Sequence, residues 1–441
     1  MTKNYDVILI GAGSVGVPTA MSLGALGVKT AVIDKMPSPG QGENKHAIGG
    51  IRATHSDPGK IIACMRSIEI FSTWKETYGD DIEWLKGGYL FPVYREKEEQ
   101  LLKSFLPIQK KYGLEIDYID PDMVAQIAPG INRNGLMGGT FSPNDGSASP
   151  LITGSAFFRK AVQTGNVDFY FKESVKAINS AGLAGESAVL TEKMVGTADK
   201  RTGTGTSDKT GEITKEPLMA IQRREGNFSV VTDKDIYNAP VVIDAAGPFS
   251  RELGTMVNAD GKMVDVNGKK ISLDIPVFPD SHEGGVTEPV EPFFKTMLVD
   301  LRPAPGSKNY YFYQNGHGHI IFCITPDPPI LGFDKRETSV FLPQVASRML
   351  NLMPRLKNIR VRRVWRGLYP MTPDGSPILG WNKDIPGLLH ATGMCGQGYM
   401  LGPGIGEIIG RMVTGQLTET DKVVTDEFSL YREFGGEEAL K

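Results

Sequence analysis

Residues 5–34, YDVILIGAGSVGVPTAMSLGALGVKTAVID, pass from a short apolar run through a glycine turn and a helical stretch to a second apolar run closed by an acid. No other feature limits the fold so tightly. Val7–Ile10 has no polar side, as a strand inside a parallel sheet requires. Gly11, Gly13 and Gly16 then give the spacing G-x-G-x-x-G. Gly11 permits the tight turn, Gly13 lets backbone approach a pyrophosphate, and Gly16 lets helix pack on strand, with Ser14 and Val15 completing the turn. The helix start offers unpaired N–H groups and a partial positive charge to phosphates. Asp34, followed by Lys35, closes the strand at 30–33, where a carboxylate accepts from a ribose diol and disfavours a 2′-phosphate. The whole is a βαβ unit suited to a dinucleotide.

The 441 residues allow two or three domain-sized cores. A net charge of −3 without a basic block gives no nucleic-acid surface. A strand begins within five residues of Met1, which leaves no room for a secretory leader, and no apolar run reaches membrane-span length. The expected setting is cytoplasmic, alone or in a complex at the inner membrane face. Cys64, Cys323 and Cys395 are odd in number and far apart, which argues against a disulfide framework and against a Cys-based metal site. They read as small buried hydrophobes, and no metal is expected.

Further along, the chain reads as interleaved units. Helical spacing of Ile62, Met65, Ile68 and Phe71 predicts a helix over 61–78. A short aromatic strand follows at 87–94, a charged amphipathic helix at 96–112, a break at Ala128-Pro129-Gly130, a helix at 149–164 and a strand at 167–171. Residues 182–226 are polar, rich in Gly and Thr and without period, so they read as a surface insertion. A buried strand over 238–246 ends in Ala245-Ala246-Gly247-Pro248, small residues that admit close backbone approach. Segments 271–302 and 309–325 read as an antiparallel sheet.

A second glycine cluster, Gly393, Gly396 and Gly398 and then Gly402-Pro403-Gly404, leads into a predicted helix over 405–413. It aims another helix N-terminus at another part of a long cofactor. An isoalloxazine gathers negative charge along its N1–C2=O edge on reduction and benefits from such a dipole; a nicotinamide does not.

Four blocks in order, the N-terminal unit, HAIGGIR at 46–52, VVIDAAGPFS at 241–250 and the stretch 365–407, resemble the FAD-dependent D-amino-acid oxidase superfamily. The likeness is nearest to the branch of sarcosine oxidase β subunits, dye-linked proline dehydrogenases and dimethylglycine dehydrogenases. It implies an α/β fold: a Rossmann-like FAD-binding domain from the discontinuous segments 1–86, 145–255 and 356–441, carrying the insertion 182–226. An α+β substrate domain from 87–144 and 256–355 would roof the flavin with its antiparallel sheet. It also implies oxidation of an amino-acid C–N bond by hydride transfer to flavin N5.

On that resemblance, FAD contacts fall to Gly11, Gly13, Ser14, Val15, Gly16, Asp34, Lys35, Lys45, His46, Gly49, Gly50, Val175, Ala245, Ala246, Gly247, Gly367, Gly393, Gly396, Gln397, Gly398, Tyr399 and Met400. Arg52 matches an arginine that binds substrate carboxylate through its planar fork. Tyr311 matches a tyrosine that closes the pocket, and Tyr313 shares its strand face. Tyr369 stands where glycine oxidases and D-amino-acid oxidases place an arginine, and Met400 where single-chain sarcosine oxidases place a lysine. Both departures favour the sarcosine and proline branch. Isoleucine, Ile320 or Ile321, replaces the roof lysine that promotes oxygen reactivity, which implies electrons leaving to a partner subunit or quinone. The alternatives are an oxygen-using amino-acid oxidase, an FAD-dependent 2-hydroxy-acid dehydrogenase and a non-catalytic electron-transfer subunit. Gly367 replaces the cysteine that carries FAD in single-chain sarcosine oxidases. His46 resembles the histidine that carries it in dimethylglycine dehydrogenases, although Lys45 replaces their tryptophan. Non-covalent FAD is favoured. His55, His317 and His319 form no metal-ligand pattern, although His317 and His319 could share a strand face.

Overall fold

The computed structural model describes residues 2–180, 227–258, 273–436 and 438–440, with 264–266 and 269–271 as backbone. The polar stretch 182–226 lies outside the described residues. In chain order the elements that build the site begin with β1 (Val7–Ile10), α1 (Gly16–Ala25), β2 (Thr30–Asp34), α2 (Pro58–Tyr78), β3 (Tyr89–Val93), α3 (Pro150–Gln163), β4 (Val167–Phe171) and β5 (Val241–Asp244). They continue with β6 (Phe278–Thr287), β7 (Met297–Asp300), β8 (Ser307–Gln314), β9 (Ile320–Pro326), β10 (Val361–Met371), β11 (Ile378–Trp381), β12 (Leu388–Thr392) and α4 (Gly398–Thr414).

A six-stranded sheet in the order β11-β12-β5-β1-β2-β4 is parallel except for β11. Its two faces explain the unbroken apolar run of β1. Val7, Leu9 and Val32 join the core under α1, α2 and α4. Ile8, Ile10, Ala31 and Ile33 point the other way, onto a small five-stranded sheet that includes Val175–Ser180, Phe228–Thr232 and Ile236–Ala239. Each such fully buried aliphatic side chain contributes roughly 1.5–3 kcal/mol, so neither face tolerates a polar residue.

The strand expected over 238–246 is in fact two. Ile236–Ala239 belongs to the small sheet, and β5 belongs to the parallel one. Pro240 lies between them; without an N–H it cannot continue a ladder, and the chain changes layer there. The helix expected over 405–413 begins earlier, at Gly398. Gly402-Pro403-Gly404, a loop by propensity, is helix interior because α4 lies against two neighbours. A Cβ at Gly402 would overlap Ser14 O, and one at Gly404 would overlap Ala63 O. Tertiary contact overrides the intrinsic penalty of glycine in a helix.

The second layer is an eight-stranded sheet in which β10-β6-β9-β8-β7-β3 are consecutive. Most neighbours are antiparallel, as expected over 271–325, but β7 pairs with β3 in parallel. β10, from the C-terminal stretch assigned to the cofactor unit, is hydrogen-bonded into this sheet along the whole of β6. One face packs on the helix Phe341–Leu352, and the other looks across a cavity toward the glycine turns. Among the described residues no helix is long and apolar enough to cross a membrane.

Candidate functional site

A cavity of about 550 Å³ runs continuously from the β1–α1 turn to the roof sheet. Its floor is backbone. Gly11 has φ +110°, and a Cβ there would meet the Ala245 carbonyl. A Cβ at Gly16 would overlap Gly11 O, whereas one at Gly13 would meet nothing within 4 Å. Gly11 and Gly16 are therefore demanded by the fold, and Gly13 opens onto the cavity. Asp34 accepts from Ala12 N (2.6 Å) and Met36 N (2.7 Å), which fixes its carboxylate at the cavity wall. Lys35 Nζ lies 3.2 Å over the Phe249 ring, and Ala245, Ala246, Gly247 and Val175 continue the same wall.

At the other end, α4 begins at Gly398 with no side-chain cap, as α1 does at Gly16. Both leave first-turn N–H groups without intrahelical partners at the cavity. The turn before α4 is tightly wound: Gly393, Cys395 and Gly396 all have positive φ, and a Cβ at Gly396 would collide with the Tyr369 ring. Gln397 donates to Glu438 Oε2 at 3.2 Å, while its Oε1 is buried without a partner among the described residues. Tyr399 turns its hydroxyl to Thr153 Oγ1 (3.0 Å), and Met400 stays at the wall.

The segment 43–55 joins floor to roof. His46 Nδ1 lies 3.1 Å from Glu43 Oε2, and Glu43 also pairs with Lys335; Lys45 beside it is exposed. Gly367 packs directly on His46, whose carbonyl accepts from Trp365 Nε1 at 2.8 Å. Tyr313 donates to Ile48 O at 2.7 Å, which ties the Gly49-Gly50 stretch to β8. Arg52 is buried at the cavity, where its guanidinium donates to Thr54 O and Leu440 O and lies 3.3 Å from His55 Nδ1. Burial, then the Arg52 charge, pushes His55 down to about 3, so His55 adds no positive charge. Behind it, Lys60 and Glu438 pair at 2.8 Å with both side chains fully buried. Burial alone would raise the Glu438 carboxyl, but the Lys60 charge holds it well below the usual carboxylate range.

Strand register composes the roof. Tyr311, Cys323, Gly284 and Trp365 are successive partners across β8, β9, β6 and β10, so they share the cavity face. Tyr311 and Tyr369 meet hydroxyl to hydroxyl at 2.7 Å. Burial raises both phenols well above their ordinary value, so each stays a neutral donor. Ile320 faces the core beneath the roof, and Ile321 shares the cavity-facing side with Cys323 and Thr325. His317 and His319 do not share a strand face: both lie in the turn between β8 and β9, bonded to Glu83 and to Thr287 O. Among the described residues no cluster of His, Cys, Asp or Glu could hold a metal.

Sequence reading passed over Asp280 and His282 on β6. Asp280, His282 and Gly284 alternate on one strand face of the segment DSHEGG, and that period of two was the available signal.

This architecture and these glycine turns match the FAD-dependent oxidoreductase (DAO) family model over residues 6–412. The chain belongs to that family. Glycine oxidase from Bacillus licheniformis is 21% identical, with 96% of each chain covered. Mouse mitochondrial sarcosine dehydrogenase is also 21% identical over 96% of this chain, which spans 41% of that longer protein. Among solved structures, L-proline dehydrogenase from P. horikoshii superposes with a TM-score of 0.78 at 23% identity, covering 98% of both chains. Glycine oxidase from Geobacillus kaustophilus gives 0.75 at 19%, covering 98% of this chain and all of the other. The protein is an FAD-dependent oxidoreductase, and its residues fit the group. The open space over Gly13 and the two uncapped helix starts meet one cavity.

Proposed function

We propose that this FAD-dependent oxidoreductase oxidises the C–N bond of an amino acid, and specifically of a secondary or N-alkylated one of the sarcosine, proline or opine type. The observation that carries this reading is the Tyr311–Tyr369 hydroxyl pair lining the same cavity as Arg52. When bound, FAD supplies the two-electron acceptor for hydride from the substrate carbon.

The chain's own part is orientation. In the Tyr311–Tyr369 pair one hydroxyl donates to the other, and the second O–H, which also meets Cys323, is the donor for a carboxylate oxygen. Arg52 has five N–H donors, and its three contacts leave others for the second oxygen. The largely apolar walls lower the local dielectric and so strengthen both bonds. Small-molecule relatives named above, glycine oxidase, sarcosine dehydrogenase and L-proline dehydrogenase, support an amino-acid substrate. Ile321, Cys323 and Thr325 put no cation on the cavity face of β9, which supports electrons passing to a partner subunit or quinone in place of oxygen. His46 is the attachment point a covalent flavin would use, but Glu43 engages its Nδ1, and we favour non-covalent FAD.

The test is anaerobic titration of the purified holoprotein against sarcosine, dimethylglycine, proline, glycine and lactate, followed by flavin bleaching. Secondary and N-alkylated amino acids are expected to bleach it and then to reduce added dye faster than oxygen. Bleaching by lactate alone, or by none of them, would remove the proposal. Acid precipitation should leave the yellow colour in the supernatant.

A further inference from the structure

The segment Glu438–Leu440 reaches into the end of the cavity that holds Arg52. Glu438 N donates to Asp374 O at 3.2 Å, and Gly436, with φ +84°, turns the chain inward just before it. Leu440 is buried: its side chain packs with Tyr89, Phe91, Met297, Val299 and Tyr313, and it lines the cavity together with Arg52. Its carbonyl accepts from Arg52 Nη2, and its N–H donates to Glu438 Oε1 at 3.3 Å. Glu438 in turn gathers donors from three parts of the cofactor unit. Its Oε2 accepts from Lys60 Nζ on α2 (2.8 Å) and from Gln397 Nε2 just ahead of α4 (3.2 Å). Its Oε1 accepts from Ser56 N (3.3 Å) and Ser56 Oγ (3.1 Å).

Arg52 is therefore gripped without being neutralised. Among the described residues no carboxylate hydrogen-bonds to its guanidinium; the acceptors are two backbone carbonyls and the His55 imidazole. That ring is neutral, and its Nε2 faces Cys64 Sγ at 3.5 Å, which leaves the Nδ1 lone pair for Arg52. The two nearby carboxylates are engaged elsewhere. Glu438 is paired with Lys60, and Asp145 accepts from Ala53 N (3.1 Å) and Thr54 Oγ1 (2.9 Å). An ion pair inside the protein would orient the fork equally well, but a ligand carboxylate would then have to displace it. Neutral acceptors suit an arginine whose anion arrives from outside.

We infer that the Leu440 carbonyl is a positioning group for substrate binding: it holds the Arg52 fork in place for the amino-acid carboxylate, and Glu438 anchors the segment that carries it. The inference rests on the carboxylate role given to Arg52 above. Thr54 and His55 are sequence neighbours of Arg52 and move with it, whereas Leu440 is the contact that ties its guanidinium to a distant part of the chain. Because Glu438 also holds Gln397, one anchor sets the carboxylate end of the site relative to the start of α4.

The experiment measures binding of 2-furoate, a carboxylate with no amine to oxidise, to the flavin-loaded protein through the change it causes in the flavin spectrum, with 2-furamide as the uncharged counterpart. A chain ending at Ala439 keeps Glu438 and its partners but lacks the Leu440 carbonyl. It should bind furoate about tenfold more weakly, the order expected for one hydrogen bond to a charged group, and furamide within about twofold of the full chain. KM for the best amine of the panel should rise by a similar factor of about ten with kcat nearly constant, because the lost contact acts on binding. L440A keeps the carbonyl and should stay within about threefold of the full chain for furoate. R52Q should weaken furoate by about a hundredfold, and ending that variant at Ala439 should add less than about a further twofold, since both changes remove one interaction. Unchanged furoate affinity in the shortened chain, an equal loss for furoate and furamide, or a loss undiminished in R52Q would overturn the inference. Should the shortened chain fail to retain flavin, E438Q carries the same cycle with an expected loss of about threefold. Furoate binding that ignores R52Q would instead sink the carboxylate role of Arg52 beneath it.

Discussion

At the floor of the cavity Gly11, Gly13 and Gly16 act through the side chains they lack, whereas at the roof Tyr311, Tyr369, His282 and Cys323 act through the side chains they carry. The floor residues lie within one turn of each other in sequence. Those of the roof come from four strands and meet only because β10, β6, β9 and β8 pair in a particular register. A backbone-built site is therefore written in local spacing, while a site built across a sheet is written in pairings that no short window contains.

Substitutions can set floor against roof. The largest effect should come from the buried pair behind Arg52: Lys60→Met leaves Glu438 buried without its cation and loosens the segment that brings Leu440 to Arg52. Removing one partner of such a pair costs roughly 3–5 kcal/mol, to be read as a lower urea midpoint. Next is Gly402→Ala, whose methyl overlaps Ser14 O and should cost roughly 1–3 kcal/mol by overpacking. Gly13→Ala is its contrast. With nothing within 4 Å of the new methyl, the apoprotein should melt as before while flavin retention falls. At the roof, Tyr369→Phe removes a hydroxyl without disturbing the floor. Flavin content should hold and kcat/KM should fall roughly three- to tenfold, the net worth of one hydrogen bond.

The smallest expected effect is a pH dependence away from both. Burial raises Glu427 from 4.5 to about 7, only partly offset by its bond from Gly59 N. The folded chain binds that proton more tightly than the unfolded one. Its contribution is thus complete below about pH 4.5 and lost as pH rises through about 7. Glu427→Gln should flatten the fall in melting temperature between pH 5 and pH 8 by a few degrees, measured by calorimetry.

The same contrast explains what the sequence disclosed. The βαβ unit, the helix at Pro58–Tyr78 and the strand Val167–Phe171 were legible because each is decided by its own periodicity and caps. The early start of α4 was not, since its glycines answer to Ser14 and Ala63, hundreds of residues away. Nor was the division at Pro240, where a continuous apolar run serves two layers. His282 escaped notice because a histidine two residues from an aspartate acquires meaning only when a sheet turns both toward a cavity. Arg52 was legible as a cation near the cofactor segment, but its contact with Leu440 O required the folded chain.

The glycine stripe of α4 has a thermodynamic corollary. Gly402 and Gly404 seat the helix against the backbone of Ser14 and Ala63, so its first turn is immobilised by protein packing before any prosthetic group arrives. A receptor assembled in advance loses little conformational entropy on occupancy, and that economy appears as affinity. Emptying and refilling the protein should therefore be reversible, with the apoprotein folded throughout.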